Sequence, residues 1–163
     1  TLAKQTSAET VNLSGRDMTD GDVSAFIIER LNRYKIASRV IFEILEDENI
    51  ENIERIGAFI ERVRRMGAKI AIDDFGSGYS NFSYILKLKP DYIKIDGSII
   101  KNIDSSEDSR AIASAIIAFA NQLDITVIAE FVHSKEVFDT CVRLGVDEFQ
   151  GFYLGEPRDI LLE

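Results

Sequence analysis

The amino-acid sequence predicts one α/β domain over residues 1–163, in which strands alternate with helices along the chain. Six short runs rich in β-branched residues are separated by longer amphipathic segments, and this alternation is typical of βα units. Each interval has room for one crossover helix, which implies that the strands are parallel. Hydrophobic residues make up 45% of the chain, enough for one substantial core. The sheet could be an open doubly wound sheet or a (β/α)8 barrel.

Strands are predicted where β-branched and aromatic side chains cluster, since these side chains fit a pleated, buried surface. Pro90 stands just before the fourth run, and proline is tolerated where a strand begins. In chain order, the predicted strands cover residues 10–13, 40–44, 69–73, 92–95, 126–129 and 147–149.

Helices are predicted where apolar residues recur every three to four positions between those strands. Gly67 and Gly145 follow two of these segments, at the position where helices commonly end. Residues 102–108 are polar and acidic and are predicted to form a loop. In chain order, the predicted helices lie near residues 22–34, 50–66, 108–123 and 134–144.

The composition argues against several functional classes. A formal net charge of −9 disfavours DNA or RNA polymers as ligands, because non-specific binding to them needs a positive field. There is no apolar stretch of membrane-spanning length and no secretory signal, so we expect a cytoplasmic protein or the cytoplasmic portion of a larger one. Cys141 is the one cysteine, and its helical spacing from Val137 and Leu144 predicts a buried side chain.

Two adjacent acids, Asp73 and Asp74, follow the third apolar run and open into a loop that contains Gly76 and Gly78. A buried charge is costly unless it is compensated, and metal coordination is a common compensation. Successive side chains on a strand point to opposite faces. We therefore expect the strand to end at Asp73, with Asp74 at the rim where the backbone turns.

Every predicted strand ends at a polar side chain. One such residue is readily explained as a helix cap or a loop residue, but six in step, one per βα unit, are not. In a parallel barrel these ends meet at one rim, where such folds keep their active sites. Amide and carboxylate oxygens suit a hard cation such as Mg²⁺ or Mn²⁺. In chain order the residues are Asn12, Glu43, Asp73, Lys94, Glu130 and Gln150.

These segments together resemble the EAL domain family, the cyclic di-GMP phosphodiesterases of bacteria. The run Asp73-Asp74-Phe75-Gly76-Ser77-Gly78-Tyr79-Ser80 is the most specific part of the match. The other matching segments are Asn12-Leu13-Ser14, Glu43-Ile44-Leu45-Glu46, Lys94-Ile95-Asp96, Ala129-Glu130 and Gln150-Gly151-Phe152 with Pro157. The resemblance implies a TIM-barrel-like fold and a two-metal site for Mg²⁺ or Mn²⁺. It also implies hydrolysis of cyclic di-GMP to linear pGpG.

The resemblance further implies roles for the acids and the lysine. Asn12, Glu43 and Asp73 would bind the first ion, and Asp73 would bridge to a second ion held by Asp74. Glu130 would orient or deprotonate the attacking water. Lys94 would contact that water or a phosphate oxygen, although a salt bridge at the rim is its alternative.

Other matching residues have supporting roles in the family. Asp96 would hold nearby polar groups, and Gln150 would contact the substrate or the second metal's water, with capping of a strand or helix end as the alternative. Glu46 would tether loop 74–81, which in the family couples substrate and metal binding to dimer contacts; a role at a helix N-terminus is equally open. Gly76 and Gly78 would supply backbone freedom to that loop.

Two departures from the family pattern affect these expectations. The family continues Gly-Val-Glu after the acid at Glu130, whereas this chain has Phe131-Val132-His133; we expect His133 to lie at the surface. No Glu-x-Leu motif precedes Asn12, and in the family that motif supplies a metal-binding glutamate.

We therefore expect an incomplete barrel of about six of eight βα units, lacking the first strand or strands, with sharply reduced activity. Its open edges would pair in a homodimer or with the rest of a larger signalling protein. The alternative function is a non-catalytic cyclic di-GMP receptor or interaction module.

Overall fold

The computed structural model describes residues 9–45, 53–78 and 82–155. The predictions for Glu46 and Pro157, and the start of the second predicted helix, lie outside these residues. The chain divides into two compact units, one within residues 1–73 and 79–92 and the other within 74–78 and 93–163.

The first unit contains parallel strands in sequence order, β1 (Glu9–Asn12), β2 (Val40–Leu45) and most of β3 (Lys69–Phe75). Its helices are α1 (Gly15–Thr19), α2 (Gly21–Tyr34), α3 (Ile53–Arg65) and α4 (Phe82–Leu88), with a short 3-10 turn at Ala37–Arg39. The apolar face of α3 is buried together with the strands. Ile44, Ile60, Val63, Ile70 and Ile72 are all at most 1% exposed, and this packing stabilises the unit.

The second unit contains β4 (Tyr92–Ile95, from Ile93 on), β5 (Thr126–Ala129) and β6 (Glu148–Phe149), with β5 and β6 parallel. Its helices are α5 (Gly97–Ile100), α6 (Glu107–Asn121) and α7 (Lys135–Leu144). Ile95, Ile100, Ile103, Val127 and Val137 are fully buried between these elements.

The strand prediction is confirmed for all six strands, and β4 and β5 have the predicted bounds. In each unit, neighbouring strands follow one another in sequence order. This order is that of a (β/α) barrel, because doubly wound sheets reverse their strand order at a switch point. The four predicted helices are also present as α2, α3, α6 and α7.

Three short helices, α1, α4 and α5, were not predicted. They are 5, 7 and 4 residues long, which is too short for a helical period to be recognised. The first is nonetheless signalled by a capping box. The Ser14 hydroxyl accepts a hydrogen bond from the Asp17 amide at 3.1 Å, and the Asp17 carboxylate accepts one from the Ser14 amide at 3.0 Å.

The expectation that the third strand ends at Asp73 is wrong. Strand β3 continues to Phe75, and Asp74 lies within it with a left-handed backbone, φ +53°. This twist breaks the strict alternation of side chains that the prediction assumed. Asp74 can therefore lie within the strand without its side chain being forced onto the face opposite to that of Asp73.

Cys141 is buried, as predicted, and burial raises the pKa of its thiol to about 11. None of the helices in the described part of the chain is both long and apolar enough to cross a membrane.

Candidate active site

Three predicted metal ligands lie on one face of the sheet in the first unit. Registered partners on parallel strands point to the same face. Asn12 is paired with Glu43, and Glu43 is paired with Ala71, two residues before Asp73. Glu43 is only 9% exposed, whereas Asp73 is half-buried and Asn12 is exposed. The first unit thus presents two carboxylates and one amide at the carboxyl ends of its strands.

The second unit brings together Asp74, Lys94 and Glu130. Carboxylate oxygens of Asp74 and Glu130 lie within 4.8 Å of one another. Lys94 Nζ lies 2.9 Å from Glu130 Oε1, and the two side chains are 7% and 9% exposed. Ile93 and Ile95, both fully buried, flank the lysine along β4. The ion pair is therefore buried, and neither charge is left uncompensated.

Asp96 supports the same cluster from the end of β4. Its carboxylate accepts a hydrogen bond from the Ser98 amide at 2.9 Å and caps α5. Burial acts to raise the pKa of Asp96, but hydrogen bonds from Ser98, Gly97 and Asp74 outweigh it and hold the pKa below its ordinary value. Asp96 therefore lies beside Asp74 in this cluster.

The segment after Glu130 has an unusual backbone. Phe131 has φ +55°, a region where bulky side chains are rare and glycine is favoured. This conformation would suit glycine, the residue that the family resemblance implies at this position. His133 is exposed, as predicted, with Nδ1 3.2 Å from the Phe131 carbonyl oxygen.

A cleft of ≈ 510 Å³ lies beside Glu130 in the second unit. Gln150 is exposed and lines this cleft together with Glu130, and its contact with the substrate or a metal-bound water stays a prediction. Its backbone joins β6 to the neighbouring strand, because the Gln150 amide donates to the Ala129 carbonyl at 2.8 Å. The residues that line the cleft are Glu130, Phe131, Phe149, Gln150, Gly151, Phe152, Leu154 and Gly155.

The loop after β3 is partly described. Gly76 has φ +95°, and a Cβ there would lie 2.5 Å from Ile99 Cδ1. Glycine therefore serves both backbone conformation and close packing at this position. Gly78 lies in an exposed bend.

A family model described as the EAL domain matches residues 2–157. The chain belongs to the EAL domain family. Among curated relatives, this EAL domain is similar to the cyclic di-GMP phosphodiesterase PdeA of Borreliella burgdorferi. The identity is 36%, over 92% of this chain and 22% of that protein. The chain spans about a fifth of the length of the curated relatives it matches.

Two solved structures resemble this EAL domain closely. One is the PaMucR phosphodiesterase in complex with c-di-GMP, with a TM-score of 0.84 and 31% identity over 94% of this chain and 62% of that one. The other is Klebsiella pneumoniae BlrP1 in its manganese/cy-diGMP complex at pH 9.0. Its TM-score is 0.79, with 30% identity over 89% of this chain and 38% of that one. These similarities confirm both the predicted family and the TIM-barrel-like α/β fold.

Proposed function

We propose that this chain forms part of a metal-dependent phosphodiesterase that hydrolyses cyclic di-GMP to linear pGpG. Its main support is the cluster of Asp74, Lys94 and Glu130 in a family whose named relatives include cyclic di-GMP phosphodiesterases. A fold alone hosts many activities, so the proposal depends on the side chains of this site.

The donor set fits hard divalent cations. Asn12, Glu43 and Asp73 would hold one Mg²⁺ or Mn²⁺, and Asp73 together with Asp74 would hold a second. All of these residues offer oxygen ligands, which such ions prefer. When bound, two ions of this kind polarise a phosphodiester and lower the pKa of a water molecule.

The remaining side chains act on the water and the phosphate. Glu130 would accept a proton from the water molecule while the water oxygen bonds to phosphorus. At the same time, the bond between phosphorus and the 3′ oxygen of the ribose would break. Lys94 compensates the buried charge of Glu130 and holds its carboxylate in one orientation through the 2.9 Å contact. Asp96 would position Asp74 through the hydrogen bond between their carboxyl groups.

The test is hydrolysis of cyclic di-GMP by the protein in its full native length, with Mg²⁺ or Mn²⁺, followed by chromatography of pGpG. Glu130→Gln should lower kcat about 100- to 10,000-fold, the usual contribution of a general base. Asp74→Asn should raise the Mn²⁺ concentration needed for half-maximal activity. Glu136→Gln, which changes an exposed acid of α7, is the matched control and should leave turnover unchanged. Full activity in Glu130→Gln would contradict the proposal.

A non-catalytic receptor is the second candidate function. It is favoured by Phe131 and His133, which replace the family's glycine and acid beside Glu130. Calorimetry with cyclic di-GMP separates the two candidates. Binding without pGpG formation in either metal ion would favour the receptor, whereas turnover that depends on Glu130 would favour the enzyme.

A further inference from the structure

We infer that Phe131 is a stacking platform for one guanine base, so that this residue sets base affinity in this EAL domain. The inference deepens the proposed function and rests on it for the choice of ligand. Phe131 directly follows the candidate base Glu130, and both residues line the same cleft.

Helix α5 and the residue after it contact the Phe131 ring. A Cβ on Gly97 would lie 2.3 Å from Cδ2 of the ring, so the ring occupies space that only glycine leaves open. Lys101, one turn further on, places Nζ 4.6 Å from the ring centroid, a cation–π distance. Both contacts come from one element, yet Phe131 remains 49% exposed. One part of the side chain is anchored while another stays accessible.

The backbone of this segment is also fixed. Phe131 has φ +55°, and an aromatic residue persists in this region only where its surroundings determine it. The next residue is held on both sides, because the Val132 amide donates to the Gln150 carbonyl at 3.0 Å and its carbonyl accepts from the Tyr153 amide at 3.1 Å. A ring held in this way loses little conformational freedom when a ligand stacks on it.

The cleft has the size and chemistry for a purine. At ≈ 510 Å³ it lies within the range of small-molecule sites, about 300–1,000 Å³. Its lining is mainly apolar, with Phe131, Phe149 and Phe152 as aromatic members and Gln150 as a polar one. A flat aromatic face would accept the base, and the amide of Gln150 could donate to and accept from its edge.

Calorimetry with two small ligands tests stacking without turnover. GMP and ribose 5-phosphate share a sugar and a phosphate, but only GMP has a base. Phe131→Leu keeps apolar bulk and removes the π face of the ring. It should therefore lower the affinity for GMP about five- to tenfold and leave the affinity for ribose 5-phosphate unchanged. Phe131→Tyr should retain GMP affinity. Gly97→Ala should also lower the affinity for GMP, because the added methyl group would displace the Phe131 ring.

Phe26 supplies the matched control. It is 54% exposed and has Arg30 Cζ 4.7 Å from its ring centroid, but it lies on α2 and does not line this cleft. Phe26→Leu should leave the affinities for GMP and for ribose 5-phosphate unchanged. Unfolding midpoints of all variants identify any loss of affinity that comes from misfolding.

The outcomes separate this inference from the proposed function. In the hydrolysis assay, Phe131→Leu should raise KM for cyclic di-GMP about five- to tenfold with kcat within about twofold of the parent. Equal GMP affinity in Phe131→Leu and the parent protein, or a loss confined to kcat, would overturn the inference while leaving the phosphodiesterase intact. A base-dependent loss of GMP affinity in a protein without turnover would support the inference and refute the enzyme.

Discussion

The buried ion pair between Lys94 and Glu130 predicts strong energetic coupling between these two residues. The perturbation is a double-mutant cycle with Lys94→Met, Glu130→Gln and the combined variant. Their side chains are 7% and 9% exposed, so removal of either partner leaves a nearly fully buried charge. Breaking a buried pair in this way costs about 3–5 kcal/mol, whereas replacing both partners costs much less.

The expected coupling energy is therefore about 2 kcal/mol or more. For a domain of this size, each single variant should lower Tm by roughly 6–20 °C, at 2–4 °C for each kcal/mol. Guanidinium unfolding followed by circular dichroism at pH 7 measures the free energy of unfolding of all four proteins. Additive losses, with the combined variant as unstable as the sum of the single ones, would refute the reasoning.

A second ion pair provides the control for this cycle. Lys135 Nζ lies 2.5 Å from Asp139 Oδ2, a shorter distance than that between Lys94 and Glu130. The side chains of Lys135 and Asp139 are nevertheless 66% and 43% exposed. Solvent screening makes such exposed pairs weak. The same cycle on Lys135 and Asp139 should give far smaller coupling, since burial and not distance determines the energy.

Three further predictions concern stability. Gly151→Ala should destabilise the protein by several kcal/mol more than Gly155→Ala. Both glycines have φ near +155°, but of the two only Gly151 would place a Cβ against backbone atoms, at 2.2 Å. The urea midpoints of the two variants measure this difference in stability. The Cys141 thiol should react with Ellman's reagent only after unfolding. Because burial raises its pKa from 9.0 to about 11, stability should fall as pH rises between these values, and less so in Cys141→Ala. Hydrogen bonds from Ser14 lower the pKa of Asp17 below 3.8. The Asp17 carboxylate therefore stabilises the protein fully above that pH, and this contribution is lost as pH falls through the lowered pKa. Asp17→Asn should reduce the fall in urea midpoint between pH 5 and pH 2.

Much of the fold follows from local pattern. Strands β4 and β5 were predicted at their observed bounds because an apolar β-branched run ends abruptly at a polar residue in each. The polar ends also identified Lys94 and Glu130, which the structure pairs at 2.9 Å. Parallel topology makes this possible, since it brings successive strand ends to one side of a sheet.

The parts that were missed depend on conformations or contacts that the sequence does not mark. Only glycine signals a left-handed backbone reliably, so the φ of +53° at Asp74 was not predicted. The contact between Gly97 and Phe131 joins residues 34 positions apart, and a glycine that leaves room for a distant ring looks like any other loop glycine. The mismatch with the family at Phe131 was the one available signal.

The left-handed turn at Asp74 restricts how this position can evolve. Aspartate, asparagine and glycine tolerate such a backbone with less strain than most residues do, although Lys35 and Phe131 also adopt it. These three residue types form the set that fits position 74 most easily. Within that set, asparagine preserves the shape of the chain while removing a negative charge. A single nucleotide change from aspartate to asparagine would therefore keep the backbone at this position and remove one carboxylate from the proposed metal site.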